Sequence, residues 1–419
     1  MRLGVTIAAR ASWILAIGAL TPLGATDAEA QVFDLTGDVS LQARWYPQSP
    51  AFPGQRSSTG GLVLEPTLYA ETTQGTSFTF TPLYRYDSAD SRRTHADVRE
   101  AYLLMYGDWG ENAWELRLGL DRVFWGVAEL NNLVDIVNQL DLVEHPRNRP
   151  KLGQPMAHLT VSGDWGIAES LLLPYHRERT FPGRAGRLRS GLLVGDDARY
   201  ESGAEERHVD FAFRYGNTVG LLDLGLSAFV GTSREPSFFV GDPTGPLPTT
   251  ATQLIPYYEQ IRQVGVDAQL TTEALLYKME VIRRGGASNL VGREQDYSAF
   301  IFGVERPLYA LFDSPADLTL LVEWHYDDRD RLATTAWAND LFIAGFLTLN
   351  DVQGTEFVAG LLGDIRHDSR ALSLEVKRRL GASWSLRLEA IVNLSVDPQD
   401  LTYGGRRDSF LGVELSLSF

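Results

Sequence analysis

Phe410-Leu411-Gly412-Val413-Glu414-Leu415-Ser416-Leu417-Ser418-Phe419 ends the chain with an apolar residue at every second position from Leu411 and small or polar residues between. Successive side chains of a strand point to opposite faces, so this is a strand with one oily face. The same rhythm recurs upstream. Val39, Leu41, Ala43 and Trp45 alternate with Asp38, Ser40, Gln42 and Arg44, and Leu318, Leu320, Val322 and Trp324 alternate with Glu323 and His325 among others. Trp384, Leu386, Leu388, Ala390, Val392 and Leu394 lie opposite Arg387 and Glu389.

About eighteen such segments begin near 33, 60, 75, 96, 112, 152, 165, 207, 218, 257, 273, 296, 316, 339, 353, 369, 382 and 408, with sixteen as the alternative count. Short connections (Thr73-Gln74-Gly75, Gly107 to Asn112, Gly163-Asp164-Trp165, Gly216-Asn217-Thr218, Leu380-Gly381-Ala382) alternate with long ones near 47 to 59, 122 to 151, 176 to 206, 232 to 256 and 396 to 407. A soluble sandwich does not sort its loops by parity. An all-β transmembrane antiparallel barrel, with short periplasmic turns and long extracellular loops, does. Trp114, Trp165, Trp384 and Tyr215 fall beside short turns, and Trp45, Tyr84, Tyr86, Trp324 and Tyr326 near long loops, which predicts two aromatic girdles at headgroup level.

The amino terminus predicts export. Arg2 and Arg10, an apolar stretch from Trp13 to Leu20 and Ala28-Glu29-Ala30 read as a signal peptide over 1–30, leaving 31–419 as one barrel domain. The apolar stretch is far short of the ~20 residues that span a bilayer. With no Cys in 419 residues there is no disulfide framework and no thiol chemistry. A net charge of −16 argues against nucleic-acid binding, and a mean hydropathy of −0.14 suits a barrel in which only alternate residues meet lipid.

With the oily face assigned to lipid, the other face is a lumen wall. It carries Glu115, Arg117, Asp210, Arg214, Lys278, Glu280, Glu323, His325, Glu375, Lys377, Arg387 and Glu389, with carboxylates in excess over the whole inner face. Glu115 with Arg117, Lys278 with Glu280, Glu375 with Lys377 and Arg387 with Glu389 predict opposite-charge pairs, and the acidic excess predicts a preference for cations or neutral solutes. Loop arginines at 147, 149, 177, 179, 184, 187, 189, 406 and 407 predict contacts with a phosphorylated outer-leaflet glycolipid, because guanidinium grips phosphate in a two-pronged geometry.

One connection breaks the rhythm. Residues 122–151 carry Leu130, Leu133, Val134 and Val137 at helical spacing, so the segment must pack against something. A loop folded inward as a pore constriction would offer Asn131, Asp135, Asn138 and Asp141 to the lumen; a helix lying on the rim is the alternative.

The terminal strand closing on Phe419 resembles the last strand of bacterial outer-membrane barrels, which implies an assembly signal read by the outer-membrane machinery. The Trp125-Gly126 turn, the run Val134-Asp135-Ile136-Val137-Asn138-Gln139-Leu140-Asp141 and Leu152-Gly153-Gln154-Pro155-Met156 resemble porin-like outer-membrane proteins of unknown function and their alginate-export relatives. The resemblance covers roughly residues 117–160 by motif and implies a porin-like barrel. Alginate exporters imply an arginine- and lysine-lined path, from which this acidic wall departs.

No Gly-x-Ser-x-Gly elbow, His-Glu-x-x-His pair or phosphate-cradling Gly loop is present, so no enzyme and no cofactor or metal is expected. His158, His208 and His325 on the inner face read as wall polar groups, and Asp327-Asp328-Arg329-Asp330 as solvated loop charge. The expected function is an outer-membrane channel for small polar solutes. A dedicated exporter or uptake channel for a polysaccharide or lipid-like compound is one alternative, and a rim-acting hydrolase another.

Overall fold

The computed structural model describes residues 30–145, 150–240 and 253–419. The expected signal peptide lies outside the described residues except for Ala30, as do Arg147 and Arg149. Eighteen antiparallel strands form one sheet, settling the count against sixteen. The first, Ala30–Trp45, pairs with the last, Phe410–Ser418, from Asp38↔Ser418 to Trp45↔Leu411, and this seam closes the sheet into a barrel. Closure leaves no strand edge, which a lipid environment requires because it offers no other backbone partners. Every expected strand is present, the largest displacement being a start at Leu222 where one near 218 was expected.

Connections at one end are mostly short, those at the other mostly long, with 309–316 and 349–355 at the first end exceeding 365–369 at the second, and both barrel termini lie at the first end. Two expected turns shift. Gly216 is an ordinary strand residue paired with Gly225 and Ile167, and the chain reverses instead at Gly220-Leu221; the other reversal narrows to Gly110-Glu111. Each site is fixed by its glycine, whose φ of 63° at Gly220 and 67° at Gly110 lies in the left-handed region that tight hairpins need. Outside, Leu103, Phe213, Val264, Phe302, Val322 and Leu388 are among the apolar side chains left bare, and Trp109, Trp165, Trp384, Trp45, Tyr84 and Trp324 stand exposed toward the two ends. Such a belt belongs in hydrocarbon.

The principal apolar core lies inside the barrel. Val123, Trp125, Val134, Ile136 and Val137 from the 122–153 connection pack on Met156, Leu171, Leu173, Ala212, Phe229, Ile261 and Ile282 of the inner wall. Leu130 reaches a second cluster at Leu321, Phe342 and Ala344. The helical spacing in this segment does not make a helix; its described residues are bends and extended turns. A small separate sheet joins the long loops, built from Leu193–Val194, Arg199–Tyr200, Ser237–Val240 and Gln253–Tyr258.

Candidate functional site

Two wall carboxylates explain why 122–141 does not coil. Glu280, fully buried on the inner face of Leu276–Gly285, accepts on Oε1 from Val127 N (2.8 Å), Ala128 N (3.1 Å) and Asn132 Nδ2 (3.1 Å). Its Oε2 accepts from Leu133 N (2.6 Å) and Val134 N (3.3 Å). Glu323 on Asp317–Asp327 accepts from Glu129 N (2.7 Å) and Leu130 N (3.1 Å), and is bonded by His325 Nε2 at 3.3 Å. Backbone N–H groups that a helix would hand to its own carbonyls are thus satisfied by the wall.

The segment then returns to the opposite side. Arg85 grips Glu144 with Nε and Nη2, Arg99 Nη2 bonds Asp141 (2.7 Å), Arg93 Nε donates to Val143 O (2.8 Å) and His145 Nε2 meets Glu389 (3.0 Å). The connection is therefore tied to strands on facing parts of the barrel. A cavity of about 870 Å³ remains between it and the wall, lined in part by Asn131, Asp135, Ile282, Tyr297 and Trp337.

The expected constriction residues divide. Asn131 lines the cavity, and Asp135 pairs with Lys151 Nζ at 2.7 Å. Asn138 also lines the cavity although it is almost wholly buried, and Asp141 is not offered to the lumen. Asn138 is a staple, accepting from Val123 N (2.9 Å) and donating to Asp121 O (2.9 Å) and Leu152 O (3.0 Å). Asp141 is completely buried, held by Arg99 and by Thr180 Oγ1 at 2.6 Å. Asn138 satisfies the segment's own interior, and Asp141 answers a wall strand and the 174–209 loop, as buried polar groups must.

The wall pairs also rearrange. Glu115 and Arg117 meet as expected (2.8 Å), but Lys278 turns from Glu280 to Glu129 (2.8 Å) and Glu305, and Glu375 takes Arg387 from the next strand (2.8 Å) while Lys377 stays exposed. Register decides the partner on the second pair of strands: Glu375 stands directly opposite Glu389 and Lys377 opposite Arg387, so Arg387 reaches diagonally to Glu375 and relieves the facing carboxylates. Arg214 grips Asp267 with two 2.7 Å bonds, and Asp210 takes Arg234 (2.8 Å) and His208 (2.8 Å).

Several loop arginines expected to face glycolipid fold inward instead. Arg187 and Asp408 form a fully buried pair at 2.6 Å, Arg177 bonds Asp97 (2.7 Å), and Arg189 donates to carbonyls including Pro53 O (3.1 Å). Desolvating such charges is costly unless each is matched, and these are matched by Asp408 and carbonyls of the loops and by Asp97 on the strand His95–Trp109. Arg184 and Arg407 stay exposed. Asp327 is not solvated loop charge: it is buried and holds Arg329 through two bonds of 2.7 and 3.0 Å.

His158 uses Nε2 for both Glu169 (3.0 Å) and Thr160 Oγ1 (3.3 Å) while its buried Nδ1 has no partner, so no carboxylate orients the ring from the side opposite a nucleophile, as a catalytic imidazole requires. His95, Asp141 and Glu144 bring ligand atoms within 4.8 Å of one another. Arg99 and Arg85 already occupy those carboxylates, so the trio is an ion-pair network.

His176, on the 174–209 loop, is fully buried against Tyr258 and Tyr200, with ring centroids at 4.5 and 5.7 Å. Burial, aided by the Arg234 charge, holds its pKa well below the ordinary value of about 6.5. The folded loop therefore keeps this imidazole neutral, while an opened loop protonates it once pH falls below about 6.5, so docking weakens on acidification. Limited proteolysis between 174 and 209 is expected to be faster at about pH 5 than at about pH 7.5, and His176→Phe to remove much of the difference. Equal pH dependence in that variant would assign the effect elsewhere.

Fold and site together define a closed antiparallel β-barrel of eighteen strands with an inward-tied connection. The chain is similar to solved structures of the Rhodopseudomonas blastica porin. One, a multiple mutant, is 11% identical with a TM-score of 0.43, and a triple mutant is 11% identical with a TM-score of 0.42; each alignment covers 93% of this chain and 100% of the porin. A structure described as an engineered protein of asymmetric conductivity is 10% identical with a TM-score of 0.43, over 93% and 100% of the two chains. No protein-family model and no curated protein matches the chain, the alginate-export family included.

Proposed function

We propose that this chain is an integral outer-membrane channel through which small polar solutes diffuse, with the 122–153 connection as its constriction. The carrying observation is the pair of ties across the lumen, Glu280 and Glu323 on one side and Arg85, Arg99 and Glu389 on the other. An expendable rim loop has no reason to spend buried carboxylates of the wall on its backbone. Export by a signal peptide over 1–30 and recognition of Phe419 by assembly machinery belong to the same reading.

Wall carboxylates do not translate one for one into free lumenal charge, because Asp210 and Asp267 are neutralised by Arg234 and Arg214, and Glu280 and Glu323 are buried beneath the segment whose N–H groups they accept. Ion selectivity should therefore be a weak cation preference rather than a strong one. In planar bilayers the purified protein is expected to show discrete conductance steps, with a reversal potential in a salt gradient slightly on the cation side. Deleting 127–145 should enlarge the steps. A folded protein with no steps, before or after deletion, would make the barrel a sealed surface structure.

A further inference from the structure

We propose that the 870 Å³ recess between the 122–140 segment and the strands Leu276–Gly285, Tyr297–Leu308 and Asp317–Asp327 binds a small solute bearing one carboxylate on a flat apolar body. The inference rests on the channel reading and names the solute class. The volume falls within the roughly 300–1,000 Å³ range of small-molecule sites.

Its charge runs opposite to that of the chain. In a protein of net charge −16, six basic side chains, Arg122, Lys151, Arg179, Arg234, Arg284 and Arg329, line the recess against four acidic ones, Glu129, Asp135, Glu235 and Asp327. Most are matched at close range: Lys151 with Asp135 (2.7 Å), Arg284 with Glu235 (3.1 Å), Arg329 with Asp327 (2.7 Å). Arg234 is different. Only 3% exposed, it commits Nε to Val137 O (2.8 Å) and Nη1 to Asp210 (2.8 Å) and Thr232 O (2.7 Å), while its buried Nη2 has no acceptor.

A buried guanidinium N–H without an acceptor is costly, and a carboxylate oxygen is the acceptor that repays it best. Arg122 and Arg234 also have carboxylate partners just outside the lining, Glu100 (2.9 Å) and Asp210 (2.8 Å), so the open Nη2 of Arg234 fits a single anionic group, and a polyanion would have to break the matched pairs. Leu133, Ile282, Trp337 and Tyr297 supply apolar wall, with the Arg329 guanidinium 3.5 Å from the Tyr297 ring centroid.

The test uses the full-length protein in proteoliposomes with benzoate, its neutral isostere benzamide, and a short uronic-acid oligomer. Benzoate is expected to bind about tenfold more tightly than benzamide, by calorimetry and by saturation of uptake. Arg234→Gln should abolish the difference and Arg234→Lys retain part of it. Equal binding of benzoate and benzamide to the unaltered protein overturns the site whether or not the variants fold. Tighter binding of the oligomer overturns the single-anion assignment. Absence of ion conductance would sink the channel reading, while calorimetry on the same protein would still decide the site.

Discussion

Replacing Glu280 with alanine is expected to raise single-channel conductance severalfold. The substitution strips an acceptor from four backbone N–H groups and one side-chain amide at once. Each buried donor left unpaired costs about 1–3 kcal/mol, and entering water lowers rather than removes that sum. What remains, Glu323 and the packing of Val134 and Val137, holds the segment less firmly, so it swings or frays. Glu280→Gln should fall between, because its amide nitrogen faces N–H donors that want an acceptor. The barrel itself should persist, read as retained heat-modifiable gel mobility. Wild-type conductance in Glu280→Ala, with the 127–145 segment still protected from protease, would show that the segment does not set the width of the path.

The second large effect is expected at the seam. Gly37 and Phe419 exchange two backbone hydrogen bonds of 3.0 Å, extending the pairing of the first and last strands to the final residue. A Cβ at Gly37 would stand 2.6 Å from Pro66 Cα, 2.9 Å from Glu65 O and 3.1 Å from the Phe419 ring. The first two neighbours are backbone of the adjacent strand and cannot yield without breaking ladder bonds. Gly37→Val should therefore sharply reduce the fraction of chain that runs as folded barrel on unheated gels, and deleting Phe419 should lower membrane yield as well. Full folding of Gly37→Val would mean that the terminal pairing is dispensable for closure.

The strands were legible because lipid enforces one rule on every one of them: oily residues out, at a period of two. Turn positions were less so, since Gly216 and Gly220 look alike in the sequence and only the backbone conformation at Gly220 tells them apart. The path of the 122–153 segment was hidden for a different reason. Its anchors are single wall residues, Glu280 and Glu323, which read as ordinary inward-facing charges and lie about 150 and 190 positions downstream. A signal did exist. Leu171-Leu172-Leu173 and Val281-Ile282 are apolar on both faces of their strands, which a wall bathed in water would not be, and the inner members Leu171, Leu173 and Ile282 are where the segment packs. The spacing of Leu130, Leu133, Val134 and Val137 correctly demanded a partner, but helix did not follow, because side chains across the barrel took over the role of helical carbonyls. The charge count misled in the same way: it registered Asp141 and Asp210 but not the guanidiniums that neutralise them.

The ties also impose an order in time. The crossing segment is synthesised after Arg85, Arg93 and Arg99, which hold it on one side, but long before its other partners: Glu323 follows Glu129 by 194 positions, and Glu389 follows His145 by 244. Arg187 likewise waits for Asp408, 221 positions later and immediately before the final strand. Contacts this distant in the chain cannot form until nearly the whole wall is in place. The segment is thus anchored on one side first, and its crossing of the barrel interior is completed only when the later strands are in place.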